Sequence, residues 1–222
     1  MINDAVLFID AEALVLNKPA GLAVHPGPRT PHSLEALAVE LRFGFQRSPQ
    51  AVHRLDRDTS GCLLMARNPK ALRRLSAAFE QGLVEKCYWA VLDGSPQGDE
   101  GVIDLPLRKV SSKAEGWRIV ADGKGKPART RWQVLRRAGG RALVAFMPET
   151  GRTHQIRVHA ASGLGVPIAG DAVYGRGQGP MLLHARRLVM PRGQGRTVID
   201  VTAPLPPPFA SAGFADEVDD AD

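Results

Sequence analysis

Strand-like apolar runs outnumber helical stripes along this chain, and the few helices are dispersed among them. Residues 6–9 and 14–16 read as short strands ahead of a turn at Pro19-Ala20-Gly21, and 84–92, 129–135 and 142–147 are strand-like as well. Two stripes have helical spacing. Leu34, Leu37, Ala38 and Leu41 follow a capping Ser33, and Leu72, Leu75, Ala78 and Phe79 follow Asn68-Pro69. In the second, asparagine caps, proline suits the first turn, and Gly82 stops the helix. A third helix is expected over 155–161, begun near Thr153 and stopped at Gly163, with surface turns at 98–101 and 122–127. This order predicts one α+β domain around a mixed sheet, spanning residues 1–212. Pro204-Leu205-Pro206-Pro207-Pro208 continues neither a helix nor a central strand, so it is read as the end of the packed body. Residues 213–222 form an acidic tail with little to bury, expected to be disordered.

Charge narrows the partners. The chain has 222 residues, 29 Lys and Arg against 23 Asp and Glu, and a net +6. Five of the acids (Asp216, Glu217, Asp219, Asp220 and Asp222) lie in the last seven positions, so residues 1–215 hold 18 acids against the same 29 bases, a net +11. A body this basic favours a polyanion, because counterions released from phosphate drive binding. No stretch approaches the ~20 apolar residues of a membrane helix. The start, Met1-Ile2-Asn3-Asp4, lacks the basic flank and apolar core of a secretion signal, so a cytoplasmic location is expected. Cys62 and Cys87 are too few for a disulfide framework or a four-thiolate zinc site.

The densest polar segment is His53-Arg54-Leu55-Asp56-Arg57-Asp58-Thr59-Ser60-Gly61, set between apolar Ala51-Val52 and an apolar strand at 62–66. So many polar groups are costly unless they satisfy one another or face a ligand. Asp56, flanked by Arg54 and Arg57, is a candidate nucleophile or general base; the structural alternative is a turn stapled by Asp–Arg and Asp–Thr contacts. The second segment, Glu149 to His159, places Arg152 and Arg157 where they suit phosphate or hold a carboxylate. His154 and His159 are five apart, off the spacing that puts two zinc ligands on one helical face, so no metal is expected. Histidines so placed are more often hydrogen-bonded structural residues. A kinase loop, a P-loop, a dinucleotide fingerprint and an esterase elbow are all absent. Alternation along a strand sends Tyr88 and Trp89 to opposite faces, one to the core and the other either buried as well or free to stack on a base.

These segments together resemble the RluA-type RNA pseudouridine synthases. His53 to Gly61 is similar to the family's HRLDxxTSG signature, Asn17-Lys18-Pro19-Ala20-Gly21-Leu22 to its NKPxGL, and Lys86-x-Tyr88-x-Ala90 to its KxYxA strand. Gly151-Arg152-Thr153-His154-Gln155-Ile156-Arg157-x-His159, then Gly170-Asp171 with Tyr174-Gly175, then Leu183-His184-Ala185, follow in the family's order. The resemblance implies a mixed, mainly antiparallel sheet with flanking helices and a deep basic cleft. It implies Asp56 as the catalytic carboxylate, Tyr88 as the tyrosine that stacks on uracil and assists proton removal at C5, and Arg157 as the carboxylate's partner. Ile156 becomes an apolar pocket residue, Trp89 a core neighbour of Tyr88, and His53, Arg54, Arg57, Arg152 and His154 become RNA contacts. It further implies isomerisation of a uridine in tRNA or in a 23S rRNA hairpin loop, or in both, with no cofactor, by a monomer that engages neither DNA nor membrane. The pattern begins at Asn17, so the compact form without the added S4-type RNA-binding module of many relatives is expected.

Overall fold

The computed structural model describes residues 2–27, 32–112, 116–193 and 195–215. In chain order the strands are β1 (Val6–Ile9), β2 (Ala13–Lys18), β3 (Gln50–Ala51), β4 (Ser60–Ala66), β5 (Glu85–Leu92), β6 (Glu100–Asp104), β7 (Leu107–Ser112), β8 (Gly116–Ala121), β9 (Arg129–Ala138), β10 (Arg141–Pro148), β11 (Leu183–Met190) and β12 (Ile199–Thr202). The helices are α1 (Leu34–Leu37), α2 (Pro69–Glu80), α3 (Gln155–Val158) and α4 (Pro207–Ser211). Few short helices among mainly antiparallel strands make the α+β fold the chain was expected to adopt. Residues 1–212, read from sequence as one domain, divide into two compact units: Met1–Lys86 with Ala185–Pro204, and Cys87–His184 with the chain from Leu205 onward.

In the first unit the strand order is β1-β2-β4-β11, with β3 on β4 and β12 on β11. β2 and β4 run antiparallel from Ala13 opposite Ala66 to Lys18 opposite Gly61. Every residue of β4 is buried, so it is a continuous apolar run with none of the alternation of a half-exposed strand. Gly61 is required there: its φ is +103°, and a Cβ would lie 2.3 Å from the Ala185 carbonyl oxygen. α2 forms as expected. The Asn68 side chain accepts from Ala71 N at 2.9 Å, Pro69 occupies the first turn, and Ala71 and Leu75 are buried. α1 is shorter than the expected 34–41. Ser33 does cap it, accepting from Ala36 N, but beyond Leu37 the chain tightens into three-residue turns that still bury Leu41.

In the second unit the order is β5-β10-β9-β6, and β7 and β8 form a separate antiparallel pair. Alternation along β5 works as the sequence implies. Trp89 and Val91 join Leu143, Phe209 and Phe214 in one buried cluster, while Ala90 and Leu92 join Trp132, Phe146 and Ile156 in another, against which Tyr88 packs. The proline-rich segment is a correction to the sequence reading. Pro207 and Pro208 occupy the first turn of α4, where a missing N–H costs nothing, and the helix delivers Phe209 to the core. Phe214 is also fully buried, so packing runs past residue 212; of the acidic tail, residues 216–222 lie outside the described residues.

Candidate active site

Asp56 sits half-buried in a loop between β3 and β4, and its carbonyl accepts from Thr59 N at 3.2 Å. The loop is held from beneath by Lys18, at the end of β2 and wholly buried. Its ammonium donates to the carbonyl oxygens of Pro19 (2.8 Å), Leu22 (2.8 Å) and Arg57 (3.0 Å), using all three of its protons. Gly21 N donates to the same Arg57 oxygen at 2.9 Å. The residue after Asp56 is therefore tied at its carbonyl to the Pro19–Leu22 turn. Burial pushes the Lys18 pKa down to about 8, and the charges of Asp58 and Asp56 pull it part of the way back. A buried lysine is rare enough that the sequence reading gave it no role; its signal was its place between an apolar strand and a Pro-Ala-Gly turn.

Lys18→Met removes three charge-assisted hydrogen bonds and takes from the Pro19 and Leu22 carbonyls their ammonium donor, while the Arg57 carbonyl keeps Gly21 N, a loss of about 2–4 kcal/mol. We expect activity to fall about tenfold or more at temperatures where the variant is still folded, with RNA affinity little changed. Denaturant melts alongside turnover check this, and a variant of wild-type stability and rate would contradict the positioning role.

The structure turns His53 inward. Its ring stacks on Phe79 at 4.5 Å between centroids, and its Nε2 accepts from Leu64 N at 3.0 Å, which requires an unprotonated nitrogen. Burial, with the nearby charge of Lys86, pushes its pKa down to about 3. Arg57 makes a forked pair with Asp58 at 3.0 and 3.3 Å near the surface, an Asp–Arg contact within the turn. Arg54 is exposed.

In the second unit the 149–159 segment is knitted by Gln155. Its Nε2 donates to Thr130 Oγ1 (2.9 Å) and to the Arg129 carbonyl (3.0 Å), while its Oε1 accepts from Thr150 Oγ1 (2.7 Å) and Arg152 N (2.9 Å). The expected helix over 155–161 is α3 continued by a π-helical turn, His159–Gly163. His159 is the structural histidine that was expected: buried, 2.9 Å from Thr130 Oγ1 through Nδ1 and 3.1 Å from the Leu105 carbonyl through Nε2. Its pKa is lowered by that burial.

Two neutral histidines, His53 half-buried and His159 buried, give a pH prediction. Each has a folded pKa below its unfolded one, so its stabilisation is complete above pH ~6.5 and is lost as pH falls, because the unfolded chain takes up protons that the folded chain refuses. The slope is at most about 1.4 kcal/mol per pH unit for each group, so stability should drop by about 2–4 kcal/mol from pH 7 to pH 5. Urea melts across that range check it; flat stability would contradict the inward placement.

Arg157 is buried against Asp171. Nε donates to Oδ2 at 2.7 Å and Nη2 to Oδ1 at 2.8 Å, with the aspartate side chain fully shielded from solvent. Val173 N and Tyr174 N also donate to Asp171 Oδ1, at 2.8 and 3.1 Å. Burial by itself would raise the Asp171 pKa; the Arg157 hydrogen bonds and charge, with those backbone donors, outweigh it and hold the pKa below the ordinary value. Asp171 therefore fixes the guanidinium of Arg157, a role the sequence reading did not assign. The turn carrying it needs Gly170, at φ +77°, where a Cβ would lie 2.0 Å from the Pro180 carbonyl oxygen.

His154 is the N-cap of α3 and holds a left-handed backbone, φ +54°. Its Nδ1 lies 2.9 Å from the Tyr174 hydroxyl, which also accepts from Ile119 N at 3.1 Å. Arg152 is exposed, its Nε donating to the Pro127 carbonyl at 3.0 Å. Ile156 is buried within the core cluster, and Tyr88 is half-buried against it. Thus Asp56, His53, Arg54 and Arg57 belong to the first unit, and Tyr88, Arg152, His154, Ile156 and Arg157 to the second.

Comparison with known proteins bears on what this chemistry serves. The family described as RNA pseudouridylate synthase matches residues 12–162. An uncharacterized RNA pseudouridine synthase from Zymomonas mobilis is 58% identical, over 94% of this chain and 97% of its own length. The ribosomal large subunit pseudouridine synthase C of Vibrio vulnificus is 36% identical, over 92% of this chain and 66% of that protein. Among solved structures, human RNA pseudouridylate synthase domain containing 4 superposes with a TM-score of 0.79 at 26% identity, covering 94% of this chain and 91% of that one.

Proposed function

Because this chain belongs to the RNA pseudouridylate synthase family, an isomerase family acting on RNA, we propose that Asp56 is its catalytic carboxylate and that Tyr88 and Arg157 serve the same reaction. Supporting this reading is the match over residues 12–162, which contains all three in their motifs. The reaction breaks the N-glycosidic bond of a uridine, turns the uracil, and rejoins it from C5 to C1′. A carboxylate suits it in either of two ways, by relieving the charge that develops at C1′ or by removing a sugar proton. Tyr88 stacks on the uracil and assists loss of the C5 proton, which balances the new C–C bond. Arg157, held by Asp171, supplies the fixed positive charge. Arg54, Arg57, Arg152 and His154 contact the RNA; His53 supports the loop from within. No cofactor enters this chemistry.

For the substrate we favour a uridine in a hairpin loop of ribosomal RNA, of a tRNA anticodon arm, or of both. The names of the related ribosomal large subunit enzymes support the first. A loop uridine costs only a few kcal/mol to unstack. Affinity drawn from phosphate contacts weakens steeply with salt, and specificity then rests on loop shape. The protein acts as a cytoplasmic monomer in this reading; among the described residues no helix is long and apolar enough to cross a membrane. Deleting the gene and mapping pseudouridines by carbodiimide-dependent reverse-transcription stops tests the substrate. One or a few loop sites should vanish and return with the wild-type gene but not with Asp56→Asn. An unchanged map, or loss confined to uninterrupted duplex, would refute it.

A further inference from the structure

The β7–β8 hairpin presents an aromatic surface that the proposed reaction leaves unused. One face of the pair carries Leu107 and Ile119, which are buried in a small cluster with Ala128 and Val158. Two residues further out on the same face, Trp117 is 48% exposed. Ser111 stands opposite Trp117 in the ladder, which makes Lys109 its diagonal neighbour. The Lys109 ammonium lies 4.8 Å from the indole centroid. The His154 imidazole flanks the indole at 5.3 Å, tilted by 31°. That imidazole is anchored by Tyr174, whose hydroxyl takes the Ile119 N–H of the same hairpin. The ammonium thus sits over one face of the indole and the imidazole flanks the ring, while about half of the residue still meets water.

Charge says what such a surface fits. Residues 107–126 hold six Lys or Arg against two acids, a net +4 in 20 residues, about a third of the +11 carried by residues 1–215. An exposed aromatic beside a cation on a basic hairpin is the chemistry of a single-stranded nucleic-acid platform: a base stacks on the ring while the cation takes phosphate. We propose that this hairpin is an RNA-docking surface, with Trp117 as the stacking platform for an unpaired base beside the target uridine and Lys109 as a phosphate contact. This rests on the RNA substrate proposed above and adds to it a preference for unpaired flanking nucleotides.

The wild-type protein reports on this directly. Its other two tryptophans, Trp89 and Trp132, are 2% and 6% exposed, so acrylamide quenching of its fluorescence reads Trp117. The probe is a single-stranded RNA of about 12 nucleotides of mixed sequence, compared with the same sequence as a duplex. Saturating single strand should shield Trp117 from acrylamide and quench its emission, and the duplex should do so far less. Trp117→Ala should bind the single strand about tenfold more weakly, with Trp117→Phe recovering most of the loss. Unchanged acrylamide access at saturating RNA would overturn the proposal and leave the hairpin to a protein partner. Equal shielding by duplex, or wild-type affinity in Trp117→Ala, would overturn it too. Tritium release from 5-tritiated uridine RNA, run in parallel, separates the two readings. Release without shielding defeats only the hairpin assignment, whereas shielding without release defeats the proposed reaction and leaves the RNA contact standing.

Discussion

Asp56→Asn should reduce pseudouridine formation more than about a hundredfold while RNA binding stays within about threefold of wild type. The substitution keeps the size and shape of the side chain and removes its charge and basicity, which either role of the carboxylate needs. The backbone around it should not move, because the Arg57 carbonyl remains tied to Lys18 Nζ and Gly21 N and the Asp56 carbonyl to Thr59 N. Removing one negative charge from a basic body does not oppose phosphate binding. Tritium release measures turnover and filter binding measures affinity. Residual turnover above about a hundredth of wild type would remove Asp56 from the chemistry.

Arg157→Met should be the most destabilising of the single changes considered, by about 3–5 kcal/mol, because it leaves the carboxylate of Asp171 buried and unpaired. Two backbone N–H donors still reach Asp171, but no cation offsets its charge. A second substitution separates stability from activity. In Arg157→Met with Asp171→Asn, the asparagine oxygen can still accept from Val173 and Tyr174 without a buried charge, so much of the lost stability should return. Activity should not return, since the guanidinium is still missing. Urea melts of the four combinations give the coupling between the pair. An Arg157→Met protein of normal stability and normal rate would contradict both roles of the arginine.

The same sequence rules that placed some residues well were silent about others. Trp89 and Tyr88 were separable because a strand has a period of two, and α2 was legible because Asn68 and Pro69 are strong local signals. α4 is not legible in the sequence because a proline run signals a breaker, whereas Pro207 and Pro208, at its end, open a helix. β7 and β8 scatter Leu107, Val110, Trp117, Ile119, Val120 and Ala121 among charged residues, serines and a glycine, so no strand is read there from sequence, and pairing with each other supplies what composition does not. Within the candidate site, residues with reactive side chains in a dense polar segment stood out, Asp56 above all. The residues that hold the site in place did not. Lys18 acts through the Arg57 carbonyl, 39 residues away, and Asp171 through a guanidinium 14 residues away, and neither distance has a periodicity to reveal it. His53, an RNA contact by resemblance, is instead turned inward by the Phe79 ring and the Leu64 N–H, neither of which its neighbours in the sequence signal.

A protein with this fold and this carboxylate could in principle bind RNA without reacting, or hydrolyse the glycosidic bond and release the base. One measurement separates those outcomes from isomerisation. Purified wild-type protein is incubated with ribosomal RNA and tRNA labelled with 5-tritiated uridine and taken from cells lacking the gene, and both tritiated water and free uracil are counted. The account predicts tritium in water at a level that plateaus at one or a few uridines per RNA, with no free uracil and no chain cleavage. Labelled uracil in solution, or no release of tritium at any RNA or enzyme concentration, would contradict it.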